Sequence, residues 1–387
     1  MPMRMVQVFA GIPSLNNSLY WRIRFLVGDP TALVLVHDGG RTESTLIIRD
    51  IEMERARRHA RADRVTCPAD WTPAGGLSGD RETATAQALA ECVRRLGADR
   101  VTCDRSLPAI YAHELTRAGI ACACDPTLGV TERRSKDAQE VEWIAAAQAA
   151  TERAMEMACA MVARAQAGTD GVLHHDGAPL TAERVKHAID VMLLGLGYEN
   201  PEPIVAPGPV GADCHDHGHG TIRTGEPVII DIFPRNRTTR YNGDCTRTVV
   251  HGAVPPAVAR MHAAVVAAKA AATLATRAGV TGDAVHAATV QALGAHGYPY
   301  HAGGAPKGAP RDWCGLVHGT GHGLGLEVHE PPLLAPLGPA LVVGDVLTIE
   351  PGLYQAGLGG IRVEDMVVVE ATGCRNLNRL HEGLDWR

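Results

Sequence analysis

The stretch HGTGHGLGLEVHE at residues 318–330 decides the fold assignment for this chain. It interleaves glycines with two histidines, His318 and His322, and ends beside a third, His329. Two glycines separate the first pair and no Glu follows His318, so this is not the helical zinc-binding motif. A histidine interrupts the glycine series, so it is not a dinucleotide-binding turn either. The glycines instead indicate a segment where the backbone approaches other groups closely.

Four acidic residues occupy other short runs that read as strands or glycine-rich turns. Asp231 ends VIID, and the runs GDCTRT, LTIEPG and GIRVED hold Asp244, Glu350 and Glu364 respectively. Side chains alternate between the two faces of a strand, so strand ends can aim several acids at one centre. We therefore predict that these four carboxylates and His322 form one metal-binding set.

The residue types in this set indicate the chemistry. Carboxylates with one imidazole suit Mn, Co, Fe or Zn better than a metal that prefers thiolates. Two such ions about 3.5–4 Å apart can share bridging carboxylates and a bridging hydroxide, because coordination lowers the pKa of water towards about 7. The last of the six serines is Ser135, so a serine nucleophile is excluded from the C-terminal half. The pattern predicts metal-dependent hydrolysis.

The chain of 387 residues suits two domains. Apolar runs at 32–36, 45–48 and 100–102 alternate with helical stretches at 82–96 and 110–118, which is typical of a small mixed α/β unit. The charged run ERRSKD at 132–137 marks a boundary, giving domains of 1–132 and 133–387. Asp137 and Glu140 have the spacing of a capping box, and the helix that they start is expected to run to about residue 166.

The C-terminal domain is predicted to be α+β, with helices covering one face of a mainly antiparallel sheet. Glycines close to the ends of three further apolar stretches indicate where helices stop. These helices are expected at 182–196, 256–277 and 283–295.

Composition limits the possible partners and compartment. The net charge is −6 with Lys and Arg scattered, so neither nucleic acid nor an anionic membrane surface is an expected partner. The N-terminal sequence has no apolar run followed by a cleavage site, so a cytoplasmic location is expected. The ten cysteines include no C-x2-C pair, which favours free thiols over disulfides or a zinc site.

Together, the runs at 244–248, 318–330, 349–354 and 360–365 resemble the pita-bread metallopeptidases, in the branch of the Xaa-Pro aminopeptidases and prolidases. The resemblance covers about residues 133–375, and the N-terminal unit is similar to a creatinase-type domain. It implies an exopeptidase that hydrolyses the bond before proline through a metal-bridging hydroxide. It also implies a peptide substrate with proline second, two divalent ions, most often Mn, and a homodimer.

The resemblance implies a role for each matching residue. Asp231 would chelate one ion, His322 and Glu350 the other, and Asp244 and Glu364 would bridge them. Glu350 would also carry a proton to the leaving nitrogen. The substrate would be contacted or enclosed by six further residues: His215, His329, His318, Arg362, Tyr241 and Tyr354.

Two departures bear on the substrate. Asp231 and Asp244 lie farther apart than is usual in that family, so the loop between them is longer, and Cys214 precedes His215 where a proline is common. His217 and His219 are so close to His215 that either is an alternative substrate contact. Four functions remain open: an Xaa-Pro peptidase, a methionine aminopeptidase, a metal-free C–N hydrolase such as creatinase, and a catalytically silent binding module. For the Xaa-Pro peptidase, the choice between aminopeptidase and dipeptidase is also open.

Overall fold

The computed structural model describes residues 5–387. The chain divides into two compact units, the first ending at Arg133 and the second running from Arg134 to Arg387. Each unit has its own sheets and its own buried core.

The first unit is built on one six-stranded sheet in the order β4-β3-β2-β1-β5-β6. Neighbours β1, β2 and β3 are antiparallel, and the remaining pairs are parallel. The strands are β1 Met5–Gly11, β2 Thr31–Asp38, β3 Arg41–Ile47, β4 Arg64–Thr66, β5 Arg100–Asp104 and β6 Ala121–Asp125, and the helices are α1 Asn17–Ile23, α2 Met53–His59, α3 Arg81–Arg95 and α4 Ala109–Arg117.

Both faces of this sheet are buried. Val8 and Val34 pack with α3 and α4 on one side, and residues one position along, Phe9 and Leu33, pack with α1 on the other. This two-sided burial gives nearly continuous apolar runs, as expected for strands covered by helices. The predicted mixed α/β character of this part of the chain is confirmed.

The second unit contains four helices, each near a predicted position. They are α5 Ala138–Ala163, α6 Ala182–Gly195, α7 Pro256–Ala275 and α8 Gly282–Ala295. The predicted capping box is confirmed: the Glu140 N–H donates to Asp137 Oδ1 over 2.8 Å, and the Asp137 N–H donates to Glu140 Oε2 over 3.0 Å. A capping box satisfies two N–H groups at the helix end reciprocally, so it fixes where α5 begins.

The strands of the second unit form five small sheets, all antiparallel. The three that carry or adjoin the acidic residues have the orders β11-β12-β14, β15-β19-β20 and β17-β16-β18-β21-β22. The strands are β7 Gln166–Ala167, β8 Leu173–His175, β9 Ala178–Pro179, β10 Tyr198–Glu199, β11 Ile204–Pro207, β12 Pro227–Ile232, β13 Arg235–Asn236, β14 Cys245–Val250, β15 Cys314–Gly315, β16 Gly321–Gly323, β17 Glu330–Leu334, β18 Val346–Ile349, β19 Gly352–Gln355, β20 Gly359–Arg362, β21 Asp365–Val369 and β22 Cys374–Asn376.

Helices cover one face of these sheets and leave the other for the acidic residues. On β12, Val228 and Ile230 pack in the core that α5 and α6 share, while Asp231 lies one position along. On β18, Leu347 and Ile349 pack in a core shared with α8, and Thr348 alternates with them. The period of two along a strand therefore places the acids on the face away from the helices.

One helix, α7, is long and apolar enough by length and composition to cross a membrane. Its residues Val258, Met261 and Val265 are buried in a core with strand residues of the same unit. Lys269 on the same helix is buried and pairs with Asp365. These contacts are those of a core helix in a folded domain.

Candidate metal centre

The five candidate ligands lie at strand ends that converge on one cavity of about 400 Å³. Three of them, Asp244, His322 and Glu364, each place one ligand atom within 4.8 Å of the others. His322 Nε2 also lies 3.3 Å from Glu350 Oε1 and 3.8 Å from Asp244 Oδ2. Asp231 lines the same cavity.

His322 is oriented so that one ring nitrogen faces the acids. Its Nδ1 lies 3.1 Å from the carbonyl oxygen of Gly323, which can only accept a hydrogen bond, so Nδ1 carries the proton. Burial lowers the pKa of His322, which favours the neutral ring. The lone pair of Nε2 is therefore available to a metal ion, in the arrangement common for metal-binding histidines.

A glycine is required beside this histidine. A Cβ atom on Gly321 would lie 2.0 Å from the carbonyl oxygen of Thr348, much closer than atoms can approach. The absent side chain lets β16 lie against the end of β18, where Glu350 follows. The glycines of residues 318–325 therefore allow neighbouring backbone segments to approach closely.

Asp231 has one oxygen engaged and one left open. Arg362 Nη2 donates to its Oδ2 over 2.7 Å. Its Oδ1 is buried and has no hydrogen-bond partner within residues 5–387. A buried acceptor without a partner is costly, and a cation would satisfy it. This oxygen therefore fits a metal ligand.

The electrostatics of the cluster also fit bound cations. Burial, followed by the charge of neighbouring carboxylates, raises the pKa of Asp244 and of Glu364 well above the usual range. Burial raises the pKa of Glu350 to about 7. Four acids this close cannot all ionise cheaply without positive charge among them. Divalent ions would supply that charge, and oxygen donors with one imidazole suit them.

Three polar residues that the sequence did not single out hold the acids in place. Thr246 donates to Glu364 Oε2 over 2.9 Å, and Thr348 accepts from the His322 N–H over 3.0 Å. Gln148 on α5 bonds both the N–H and the carbonyl of Asp244, at 2.9 and 2.7 Å. The strand period could have indicated the threonines, since each lies two positions from an acid. Gln148 has no such signal.

His318, Tyr354 and Arg362 form a hydrogen-bonded chain at one side of the cavity. His318 Nδ1 lies 2.7 Å from the Gly319 carbonyl, so Nε2 accepts from the Tyr354 hydroxyl over 2.8 Å. Arg362 Nη1 donates to the same hydroxyl over 2.9 Å. Burial lowers the pKa of His318 to about 3, so this ring is neutral at physiological pH. This chain of hydrogen bonds links His318 in the pocket wall to Asp231.

Removing the Tyr354 hydroxyl should reduce stability measurably. Tyr354→Phe leaves His318 without its donor and Arg362 without one acceptor, and each buried loss is costly. We expect the free energy of unfolding in urea, followed by near-UV circular dichroism, to fall by about 1–3 kcal/mol. Tyr300→Phe is the control, because the Tyr300 hydroxyl has no hydrogen-bond partner in the described chain. If both substitutions lowered the free energy of unfolding equally, the hydrogen bonds of the Tyr354 hydroxyl would have no special role in stability.

The structure separates the three histidines of the segment 215–219. His215 and His217 line the cavity, whereas His219 is not among its lining residues and its side chain is 72% exposed. His217 Nδ1 is held 3.1 Å from the Glu202 carbonyl. No hydrogen bond of this kind holds the His215 ring among residues 5–387. His329 also lines the cavity, its ring 4.2 Å from that of His322 between centroids.

Tyr241, which is predicted to form a pocket wall, lies away from the cavity. Its hydroxyl donates to Glu140 Oε1 over 2.6 Å, and its ring packs 5.6 Å from that of Trp143 between centroids. The side chain is thereby held at the start of α5 and does not line the cavity. Phe233 and Leu333 are apolar lining residues that the sequence did not indicate.

The longer loop between Asp231 and Asp244 is attached to a neighbouring strand. Its central strand β13 pairs with β10, and Arg235 and Arg240 both contact Glu199. Only Phe233 from the loop itself reaches the cavity lining. The added length is therefore accommodated mainly away from the acids.

Comparison with known proteins bears on this site. The model of metallopeptidase family M24 matches residues 142–371, more than half of the chain and all five candidate ligands. The chain belongs to metallopeptidase family M24. Membership implies divalent metal ions, which agrees with the donor set described above.

Curated M24 relatives match over part of their length. The chain is 37% identical over 178 residues to a protein named probable dipeptidase PepE from Mycobacterium tuberculosis, covering 45% of the chain and 43% of that relative. It is 28% identical over 200 residues to an Xaa-Pro dipeptidase from Pyrococcus furiosus, covering 51% and 53%. The chain thus matches about half the length of these relatives.

Solved structures of the M24 fold match the chain almost throughout. An X-Pro aminopeptidase from Thermotoga maritima gives a TM-score of 0.78 at 22% identity, covering 98% of the chain and 96% of that structure. Dipeptidase PepE from Mycobacterium ulcerans gives 0.71 at 28%, covering 98% and 92%. The α+β pita-bread fold preceded by a smaller α/β unit is therefore confirmed.

Proposed function

We propose that this protein is an exopeptidase that uses two divalent metal ions to hydrolyse the peptide bond before proline. The observation that carries the proposal is the convergence of four carboxylates and one imidazole on a single cavity. The M24 match and the printed names of the relatives, which include Xaa-Pro dipeptidase and X-Pro aminopeptidase, support it.

In this proposal Asp231 would hold one ion, His322 and Glu350 would hold the other, and Asp244 and Glu364 would contribute to both. Bound ions would neutralise the buried carboxylates, polarise the scissile carbonyl and lower the pKa of the attacking water. We propose Mn as the metal, with Co, Zn and Fe as alternatives, because the donor types admit several metals.

The chain's own residues would bind and orient the peptide. The rings of His215 and His329 line the cavity and would contact the substrate near the scissile bond. Arg362 and the neutral His318 form a rigid wall through Tyr354, which suits a compact proline ring. Glu350 would carry a proton to the leaving nitrogen.

The other readings explain the cavity less well. A metal-free C–N hydrolase or a silent binding module would not need a complete ligand set, and all five ligands are present and converge. A methionine aminopeptidase shares the fold, and the presence of His318 in the cavity favours the proline-directed branch. We further propose that domains of 1–132, creatinase-type, and 133–387, catalytic, act in a cytoplasmic homodimer with no nucleic-acid or membrane partner.

The proposal is tested by measuring cleavage before and after metal removal. Protein stripped with a chelator should cleave neither Ala-Pro nor Ala-Pro-Ala, and added Mn²⁺ should restore hydrolysis of the first bond of at least one of them. Metal should also raise the melting temperature, because it binds the folded state. A Met-Ala-Ser peptide is the control for the methionine aminopeptidase reading. Cleavage at full rate by protein shown to be metal-free would contradict the proposal.

A further inference from the structure

A second chamber of about 610 Å³ adjoins the catalytic cavity. The two share three lining residues, Cys214, His215 and His318, so they are neighbouring spaces with a common wall. None of the five candidate metal ligands lines the second chamber. A molecule in this chamber would therefore contact residues proposed to bind the substrate without contacting the candidate metal ligands.

The outer wall of the chamber is the segment 301–313, which connects Tyr300 to β15 without helix or strand. The His301 N–H donates to the Leu316 carbonyl and the Gly303 N–H to the Val317 carbonyl, each over 2.9 Å, which joins the segment to the residues after β15. Within the segment, His301 Nδ1 donates to the Gly304 carbonyl over 2.8 Å. Long connections of this kind in compact domains are commonly functional. This one encloses space beside the active site.

The chemistry of the lining suits a peptide. Its charged residues are one acid, Asp213, and one cation, Arg311, so the chamber carries little net charge. Trp313 and Tyr354 supply aromatic surface, and alanines, glycines and prolines supply most of the rest. A nucleotide or phosphate would need an excess of positive donors. Uncharged peptide backbone and small side chains need only polar and apolar contacts of this kind.

The direction of the substrate follows from the proposed cleavage. An enzyme that removes the first residue has only that residue on the N-terminal side of the scissile bond. Any further length of the peptide lies on the C-terminal side, after the proline. The residues that follow proline are therefore the part of the substrate that has the length to reach a chamber adjoining the catalytic cavity.

We infer that the chamber walled by residues 301–313 binds the part of the substrate that follows the proline, so that tripeptides and longer peptides are cleaved in preference to dipeptides. This inference rests on the proposed function and selects an aminopeptidase over a dipeptidase. It assigns length selectivity to a segment that contributes no metal ligand.

The test fills the chamber with a bulky side chain. Ala305 lines the chamber, and Ala302 is an exposed alanine of the same segment that does not. Unmodified enzyme should cleave Ala-Pro-Ala-Ala with a higher kcat/KM than Ala-Pro. Ala305→Trp should lower kcat/KM for the tetrapeptide by at least about tenfold and leave Ala-Pro within about twofold, as expected for loss of one pocket contact. Ala302→Trp should change neither.

A second filling variant, Ala309→Trp, guards against misfolding, and melting temperatures are measured for all three. The inference would be overturned if the folded Trp variants showed equal falls in kcat/KM for both peptides, or no fall for either. The inference would also fail if the unmodified enzyme had a higher kcat/KM for Ala-Pro than for the tetrapeptide. The proposed cleavage before proline would not be contradicted by that result. Failure of unmodified, metal-loaded enzyme on both peptides would instead overturn the proposed function itself.

Discussion

Replacing Asp244 by Asn is expected to lower kcat on proline-containing peptides by at least about a hundredfold to a thousandfold, the range seen when one group that stabilises the transition state is removed. Asp244 is nearly fully buried, and its carboxylate lies within 4.8 Å of ligand atoms of His322 and Glu364. An amide of the same shape keeps the packing but removes the negative charge that would attract the proposed metal ions. Bound metal should fall as well.

The measurement pairs kcat with metal content determined on the same folded sample. Asp190→Asn is the matched control, because Asp190 is exposed and bonds only Asn200 within the part of the chain that the structure describes. The control should keep full activity and full metal content. If Asp244→Asn retained both, the carboxylate would have no role in the centre and the ligand set would have to be revised.

Replacing Arg247 by Met is expected to lower the free energy of unfolding by about 3–5 kcal/mol, because it breaks a buried ion pair by removing one partner. The Arg247 side chain is fully buried. It donates to Asp365 Oδ1 over 2.7 Å and to the carbonyls of Thr246, His381 and Glu364. The substitution would remove these donated hydrogen bonds, and Lys269 would be the remaining cation beside Asp365.

Urea unfolding followed by near-UV circular dichroism measures this effect. Arg375→Met is the control, since Arg375 pairs with Glu370 at the surface and its side chain is 51% exposed. An exposed pair contributes at most about 1 kcal/mol, so the control should change stability little. If the free energy of unfolding fell by similar amounts in the two variants, the buried contacts of Arg247 would contribute no more to stability than an exposed ion pair. Because Glu364 is tied to Arg247 through its carbonyl, activity should also fall in the first variant.

Local patterns predicted the elements with strong local signals. The capping box at Asp137 and Glu140 located the start of α5, and the apolar stretches located α6, α7 and α8. Several elements of the first unit, including β1, were missed. Their side chains are buried on both faces or lie in runs too short to show a period, so the information that orders them is in the sheet pairing.

The candidate ligands were predictable for a different reason. Each acid stands in a run with its own signature, a strand followed by a turn or glycines, and the type of donor follows from metal chemistry. The supporting contacts are less visible. Gln148 bonds a residue 96 positions away, and Thr246 bonds one 118 positions away. No local pattern records such pairs.

Residue type and spacing were sufficient to predict the α+β class and to indicate five candidate donors, because glycines, strand periods and helix caps act within a few positions of the chain. The ordered motifs carried the resemblance to the family. Only the tertiary structure decided that Tyr241 faces Glu140 and not the cavity, that His219 lies outside it, and that residues 301–313 enclose a second chamber. Those outcomes depend on contacts between distant segments. Such contacts are set by packing of the whole domain, which local sequence does not encode.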